Sequence, residues 1–257
     1  MIVSFSETEL TQSHQKQLEF WFQSALGRNL LANQRVAIER KIRGFYGVHQ
    51  AEMGVSHRVP VGNPSNLAHK FFVLPSWESD LPENTIISSA DEIALESDSV
   101  DMVILHHTLD FSSNPHQTLR EAARILKSSG HLIIVGFNPL SLWGCRKLFL
   151  RSKTAPWNSR FISGKRVEDW LNLLDFNVFS LDYFYYGLPF NRVGLKNKSF
   201  WLDNILNSKV PLGAYYTLIA EKQVGSHINV TRQWRRQANV IGIPFAEAAN
   251  ATSAKPN

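Results

Sequence analysis

Residues 89–139 read "SADEIALESDSVDMVILHHTLDFSSNPHQTLREAARILKSSGHLIIVGFNP". Two apolar runs, Asp101–His107 and Leu132–Phe137, flank a segment with helical spacing. The centre of "DMVILHH" is apolar at consecutive rather than alternate positions, as expected of a strand covered on both faces. Asn114 is placed to cap the intervening helix, Pro115 suits its first turn, and Gln117 stands three residues after the cap. Leu119, Ala122, Ala123 and Leu126 then form one apolar face, and Gly130 follows its end. A strand, a helix and a strand joined by short turns imply a right-handed parallel crossover.

The pattern extends in both directions. Upstream, residues 8–44 read as helical, with Leu18, Phe22, Leu26 and Leu30 spaced by four and a break near Gly27. Three further strands are expected at Val48–Met53, Lys70–Leu74 and Thr85–Ser89. Downstream, the excursion "NPLSLWGCRKLFLRSKTAPWNSRF" precedes a helix, "KRVEDWLNLLDF", and two aromatic-rich strands near Val178–Tyr185 and Ala214–Ala220. Alternating strands and helices indicate an α/β sheet with covering helices. The expected organisation is an N-terminal helical extension (1–44), an α/β domain (45–224) and a flexible basic tail (225–257).

The bulk properties narrow the function classes. The chain has 257 residues, 44% of them hydrophobic, and a formal charge of +5. Beyond Gly225, Arg232, Arg235, Arg236 and Lys255 face Glu247 alone, an excess of three that leaves two net positive charges for the first 225 residues. That is too few for a phosphate-neutralising face, so nucleic acid is disfavoured as a partner. A single cysteine, Cys145, forms no intrachain disulfide and suits a reducing compartment. The N-terminus lacks a basic region followed by an apolar core, and no window approaches a membrane span, so a cytoplasmic protein is expected. "LSLWGCRKLFLRSK" is weakly amphipathic with basic ends, a pattern able to touch a membrane surface.

The segment 89–139 resembles the class I S-adenosylmethionine (SAM)-dependent methyltransferases, type 11 group. Ser99-Val100-Asp101-Met102-Val103 matches the opening of that family's fourth strand; Asn114-Pro115, Leu119, Glu121, Arg124, Leu126, Lys127 and Gly130 match its next helix and turn. "FYGVHQAEMG", "GFNPLSLWGCRKL" and "PWNSRFISGKRVEDWLNLLDFNV" are similar to a proteobacterial subgroup, the YafS type. The resemblance implies a Rossmann-like, doubly wound, seven-stranded, mostly parallel sheet with SAM outside the carboxyl ends of its strands.

It also implies site residues. The family's glycine loop, acidic-x-Gly-x-Gly-x-Gly, falls on Glu52-Met53-Gly54-Val55-Ser56-His57-Arg58, where Ser56 and Arg58 replace two glycines. Pro60, Gly62 and Pro64 exclude a regular helix after it. The ribose-binding acid falls on Glu78 or Asp80; the adenine site falls on Ser89 and Ala90, with Asp91 standing in for the family's acid. His106 is placed to contact SAM and His107 to accept a proton from the methyl acceptor, strand alternation sending the two to opposite faces. Asn138, Trp143 and Arg146 are the expected acceptor contacts. Paired histidines also suit a metal, but no cluster with ligand spacing accompanies them, so no metal is expected. Glu121 and Arg124 read as a pair on the helix surface.

The expected activity is SAM-dependent methylation of an oxygen or nitrogen on a small or lipid-like acceptor. The competing class is a methyltransferase fold that binds or regulates without catalysis, motivated by the missing glycines. A dinucleotide oxidoreductase is disfavoured because "VHQAEMGVSHR" supplies no G-x-G-x-x-G turn.

Overall fold

The computed structural model describes residues 7–150, 154–189 and 209–223; the expected tail lies outside them. Seven strands form one sheet: β1 (His49–Gly54), β2 (His69–Leu74), β3 (Thr85–Ile87), β4 (Val100–His106), β5 (Leu126–Phe137), β6 (Phe176–Phe184) and β7 (Tyr215–Lys222). The helices are α1 (Glu7–Phe22), α2 (Ala25–Ile42), α3 (Thr108–Phe111), α4 (Pro115–Ile125), α5 (Leu142–Leu150) and α6 (Gly164–Asn172). The strand order is β3-β2-β1-β4-β5-β7-β6. All neighbouring pairs are parallel except those of β7, which runs antiparallel to β5 and β6. The doubly wound, mostly parallel sheet predicted from the sequence is therefore present.

Alternation along the central strands builds two cores. Met102 and Ile104 of β4, with Ile133 and Val135 of β5, meet Leu18 and Phe22 of α1, Ile38 and Ile42 of α2, and Trp143 of α5. Val103 and Leu105, with Leu132 and Ile134, meet Leu119, Ala122 and Ile125 of α4 and Val167 and Leu171 of α6. Each fully buried aliphatic side chain contributes about 1.5–3 kcal/mol. This two-sided burial explains the uninterrupted apolar run in β4.

Local chemistry sets the element ends. Asn114 caps α4 as expected, its side chain accepting from the Gln117 N–H at 3.3 Å. The left-handed residue after α4 is Ser129 (φ 63°), one position before the expected Gly130. Leu126, read as the end of the helical face, has already turned extended and opens β5. The break in the N-terminal helices falls at Gln23–Ser24, before Gly27. Ser24 caps α2 by accepting from the Gly27 N–H at 3.1 Å. A Cβ on Gly27 would stand 2.3 Å from the Trp21 carbonyl oxygen, so this tight corner requires glycine.

Candidate functional site

A cavity of about 250 Å³ lies at the carboxyl ends of β1, β2 and β4, on the side where the strand order reverses. In an open parallel sheet this switch point is where ligands bind. Met53, Gly54, Val73 and Pro75 form one part of the wall, and residues 88–92 another. Thr108, Phe111, Ser112 and Ser113 complete it. The Thr108 hydroxyl donates to the Met53 carbonyl at 2.7 Å and ties the end of β4 to that of β1.

The 88–95 segment is held from both ends. The Ser88 hydroxyl donates to the Glu92 carbonyl at 2.6 Å and accepts from the Ala94 N–H at 2.9 Å. The Ser89 hydroxyl donates to the Asp91 carboxylate. Glu121 of α4 accepts from the Ile93 N–H at 3.0 Å, while Arg124 donates to the Ile93 and Leu95 carbonyls, both at 2.8 Å. The pair read as a helix-surface contact thus also anchors the cavity wall. Asp91 and Glu92 are the two titratable groups lining the cavity.

The loop after β1 is folded by buried polar side chains rather than by glycines. Glu52 is not part of the cavity wall, and both its oxygens accept from backbone, from the Val61 N–H at 2.7 Å and the Gly62 N–H at 3.0 Å. Burial nevertheless dominates and pushes the Glu52 carboxyl up to about 7. A Cβ on Gly62 would collide with the side chains of Gln50 and Glu52, at 2.2 and 2.7 Å, so glycine permits this approach. The loop then fills the space where a crossover helix would pack, with Val59, Val61 and Leu67 in the core.

Outside the loop stands α1. The Gln15 carboxamide donates to the carbonyls of Gly54 (3.1 Å) and Val55 (2.9 Å). The Ser56 hydroxyl donates to Glu19 at 3.0 Å. Arg58 does not enter the cavity. Its guanidinium donates to Glu19 (2.6 Å), Glu78 (3.0 Å) and Asp80 (2.6 Å). Hydrogen bonds to Asp80 and Glu19 raise the Arg58 pKa, and the same bond lowers that of Asp80. Glu78 and Ser56 therefore line a separate slot of about 20 Å³ beside Gln15, not the cavity itself.

His106 and His107 depart from strand alternation. His107 has a left-handed backbone (φ 57°), which turns its ring to the same side as that of His106, with centroids 4.9 Å apart. Both rings are buried against Phe22 and share Gln34 of α2. Gln34 Oε1 accepts from His106 Nε2 at 3.0 Å, and Gln34 Nε2 donates to His107 Nε2 at 2.8 Å. His107 therefore carries its proton on Nδ1 and donates it to Asp110 at 2.7 Å. Burial lowers both imidazoles, His106 well below the usual range and His107 to about 3, and raises the Asp110 carboxyl. Neither ring lines the cavity, and His107 is 0% exposed.

Asn138, Trp143 and Arg146 are engaged internally. Asn138 donates to the Pro211 and Gly213 carbonyls and accepts from the Leu140 N–H. Trp143 donates to the Gly187 carbonyl and packs among Trp21, Phe137, Trp157 and Tyr185. Arg146 donates to the Pro189 carbonyl and lies 4.7 Å over Trp157. Of the residues predicted from sequence, Gly54, Ser89, Ala90 and Asp91 line the cavity. Glu52, Ser56, Glu78, His106, Asn138, Trp143 and Arg146 lie outside its wall, as does His107. Gln15 and Gln34 were missed. Their signal was a polar residue on an apolar helix face, three before Leu18 and four after Leu30.

Residues 73–134 match the family described as a methyltransferase domain. The chain is 42% identical over 127 residues to the uncharacterised protein YafS of Escherichia coli (strain K12). That alignment spans about half of the relative, 49% of each chain. Among solved structures, a SAM-dependent methyltransferase of Thermotoga maritima superposes with a TM-score of 0.62 at 20% identity, covering 85% of this chain and 100% of the other. Another from Archaeoglobus fulgidus gives 0.51 at 16% identity, covering 73% and 94%. Sheet order and superposition together show the Rossmann-like class I methyltransferase fold.

Proposed function

We propose that this protein binds SAM in the cleft outside β1, β2 and β4 and transfers its methyl group to an oxygen or nitrogen of a small or lipid-like acceptor. The observation carrying this reading is the 250 Å³ cavity at the switch point of a methyltransferase-fold sheet. Its chemistry fits the nucleoside half of SAM. Apolar Met53 and Val73 offer a surface for a base, and the hydroxyl and carboxylate groups of Ser89 and Asp91 offer partners for polar edges.

The methionyl half meets α1. It carries an ammonium, a donor of the kind that Gln15 already supplies to the Gly54 and Val55 carbonyls. Cofactor entry on this reading displaces Gln15 into solvent, with Glu52 and Gly62 keeping the loop in shape. Bound SAM supplies an electrophilic methyl group; the chain's part is alignment of the acceptor and exclusion of water. His107, engaged at both ring nitrogens, positions the turn that presents Thr108 rather than acting as a base. Asp91, Glu92 or solvent is left to take a proton from the acceptor.

The competing reading, a binding or regulatory module, is favoured by Gln15 and Arg58, which fill and fasten the loop that a cofactor would use. Calorimetric titration of the full chain with S-adenosylhomocysteine tests the proposal. Saturable one-to-one binding supports it, and no heat at millimolar ligand overturns it. Binding without methyl transfer to any acceptor offered would favour the module.

A further inference from the structure

We propose that the outer face of α5 is a docking surface for an anionic membrane. Leu142, Cys145, Leu148 and Phe149 fall within an arc of about 120° on this helix. All four face solvent, with Leu142 52%, Leu148 71% and Phe149 82% exposed. Leu140, just before the helix, is 62% exposed. The opposite side is buried through Trp143 and Gly144, so α5 is already packed and its outer face is a surplus apolar surface. Single exposed leucines are ordinary; a helix face without any charged residue is not.

Beside α5, a groove of about 740 Å³ opens between the end of α1, at Phe20 and Trp21, and Thr154–Ala155. Trp21 is in ring contact with Trp143 of α5 at 5.9 Å, and Phe20 is 77% exposed. Lys16 stands on the rim of this groove.

Charge selects the occupant. From Ala122 to Val167 the sequence holds nine lysines and arginines and not one aspartate or glutamate. Arg151, Lys153 and Arg160 follow Leu148 and Phe149 within that stretch. A second copy of the chain would bring like charges together. An anionic lipid surface offers the complement, since interfacial helices combine a buried apolar face with flanking cations. This inference is independent of methyl transfer.

Co-sedimentation of the full chain with vesicles tests it, using phosphatidylcholine alone and phosphatidylcholine mixed with phosphatidylglycerol. The bound fraction is expected to be roughly five-fold higher on the anionic vesicles and to fall in high salt. The double variant Leu148→Ser, Phe149→Ser should lose it while keeping the wild-type melting temperature, because both side chains are exposed. Equal sedimentation with both vesicle types, an undiminished variant, or a protein that stays in the supernatant throughout would overturn the proposal. So would a dimer in gel filtration that the double variant dissociates, since the face would then be covered by a second copy.

Discussion

Replacing Gln15 by alanine should tighten binding of S-adenosylhomocysteine. In the wild-type protein the Gln15 carboxamide donates to the Gly54 and Val55 carbonyls at 3.1 and 2.9 Å, the acceptors that the proposed function assigns to the methionyl ammonium. A neutral intramolecular hydrogen bond contributes about 0.5–1.5 kcal/mol net, so displacing Gln15 costs the ligand about 1–3 kcal/mol. Gln15→Ala removes the cost, and the dissociation constant should fall by roughly 5- to 150-fold. Isothermal titration of both proteins near neutral pH measures the ratio. The fold should persist in the variant, because Leu18 and Phe22 still anchor α1. Equal or weaker affinity in Gln15→Ala, with binding intact in the wild type, would refute the claim that α1 obstructs the cofactor. Absence of binding in both would refute the cofactor reading itself.

Other consequences follow from charge and burial. His106 and His107 are held neutral by burial, with pKa values below that of an unfolded histidine, so their stabilising contribution is complete above pH 6.5 and is lost as pH falls, for His107 toward 3. At pH 5 His107 should cost roughly 2 kcal/mol relative to neutral pH, with His106 acting in the same direction, read by urea denaturation at the two pH values; unchanged stability would argue against a buried neutral pair. Glu52 has the opposite sign: its folded pKa of about 7 exceeds the usual 4.5, so its contribution is present below 4.5 and lost as pH rises through 7. The stability difference between wild type and Glu52→Gln should therefore shrink by about 2–3 kcal/mol between pH 5 and pH 8, and a constant difference would contradict the assigned burial. Arg58→Ala should lower the melting temperature only slightly, since exposed ion pairs contribute little, and should leave ligand affinity unchanged. Lost affinity in that variant would mean that Arg58 reaches the cleft after all.

The parts of the fold legible in the sequence were those written in local patterns. The apolar run of β4, the Asn114 cap and the periodicity of α4 each depend on residues a few positions apart, and each was recovered. The cavity residues Gly54, Ser89, Ala90 and Asp91 came from the family resemblance, Gly54 from its glycine loop and the other three from its adenine site. What escaped was set by distant partners or by single backbone angles. Asn138, Trp143 and Arg146 read as contacts to the methyl acceptor because their hydrogen-bond partners at Pro211, Gly187 and Pro189 lie over 40 residues away. The alternation rule failed at His107 because one left-handed residue reverses the direction of a side chain. The fate of Arg58 depended on Glu19, a residue of α1 that no loop motif contains.

The cleft beside Ser89 is proposed to hold SAM, a reading decided by a paired titration of S-adenosylhomocysteine. Ser89 is exposed on the cavity wall, so Ser89→Trp adds a bulky ring to a space of about 250 Å³ without disturbing the core. The wild-type chain should show saturable one-to-one binding, and Ser89→Trp none at an unchanged melting temperature. Binding that survives Ser89→Trp, or a wild-type chain that ignores the ligand at millimolar concentration, would contradict that reading.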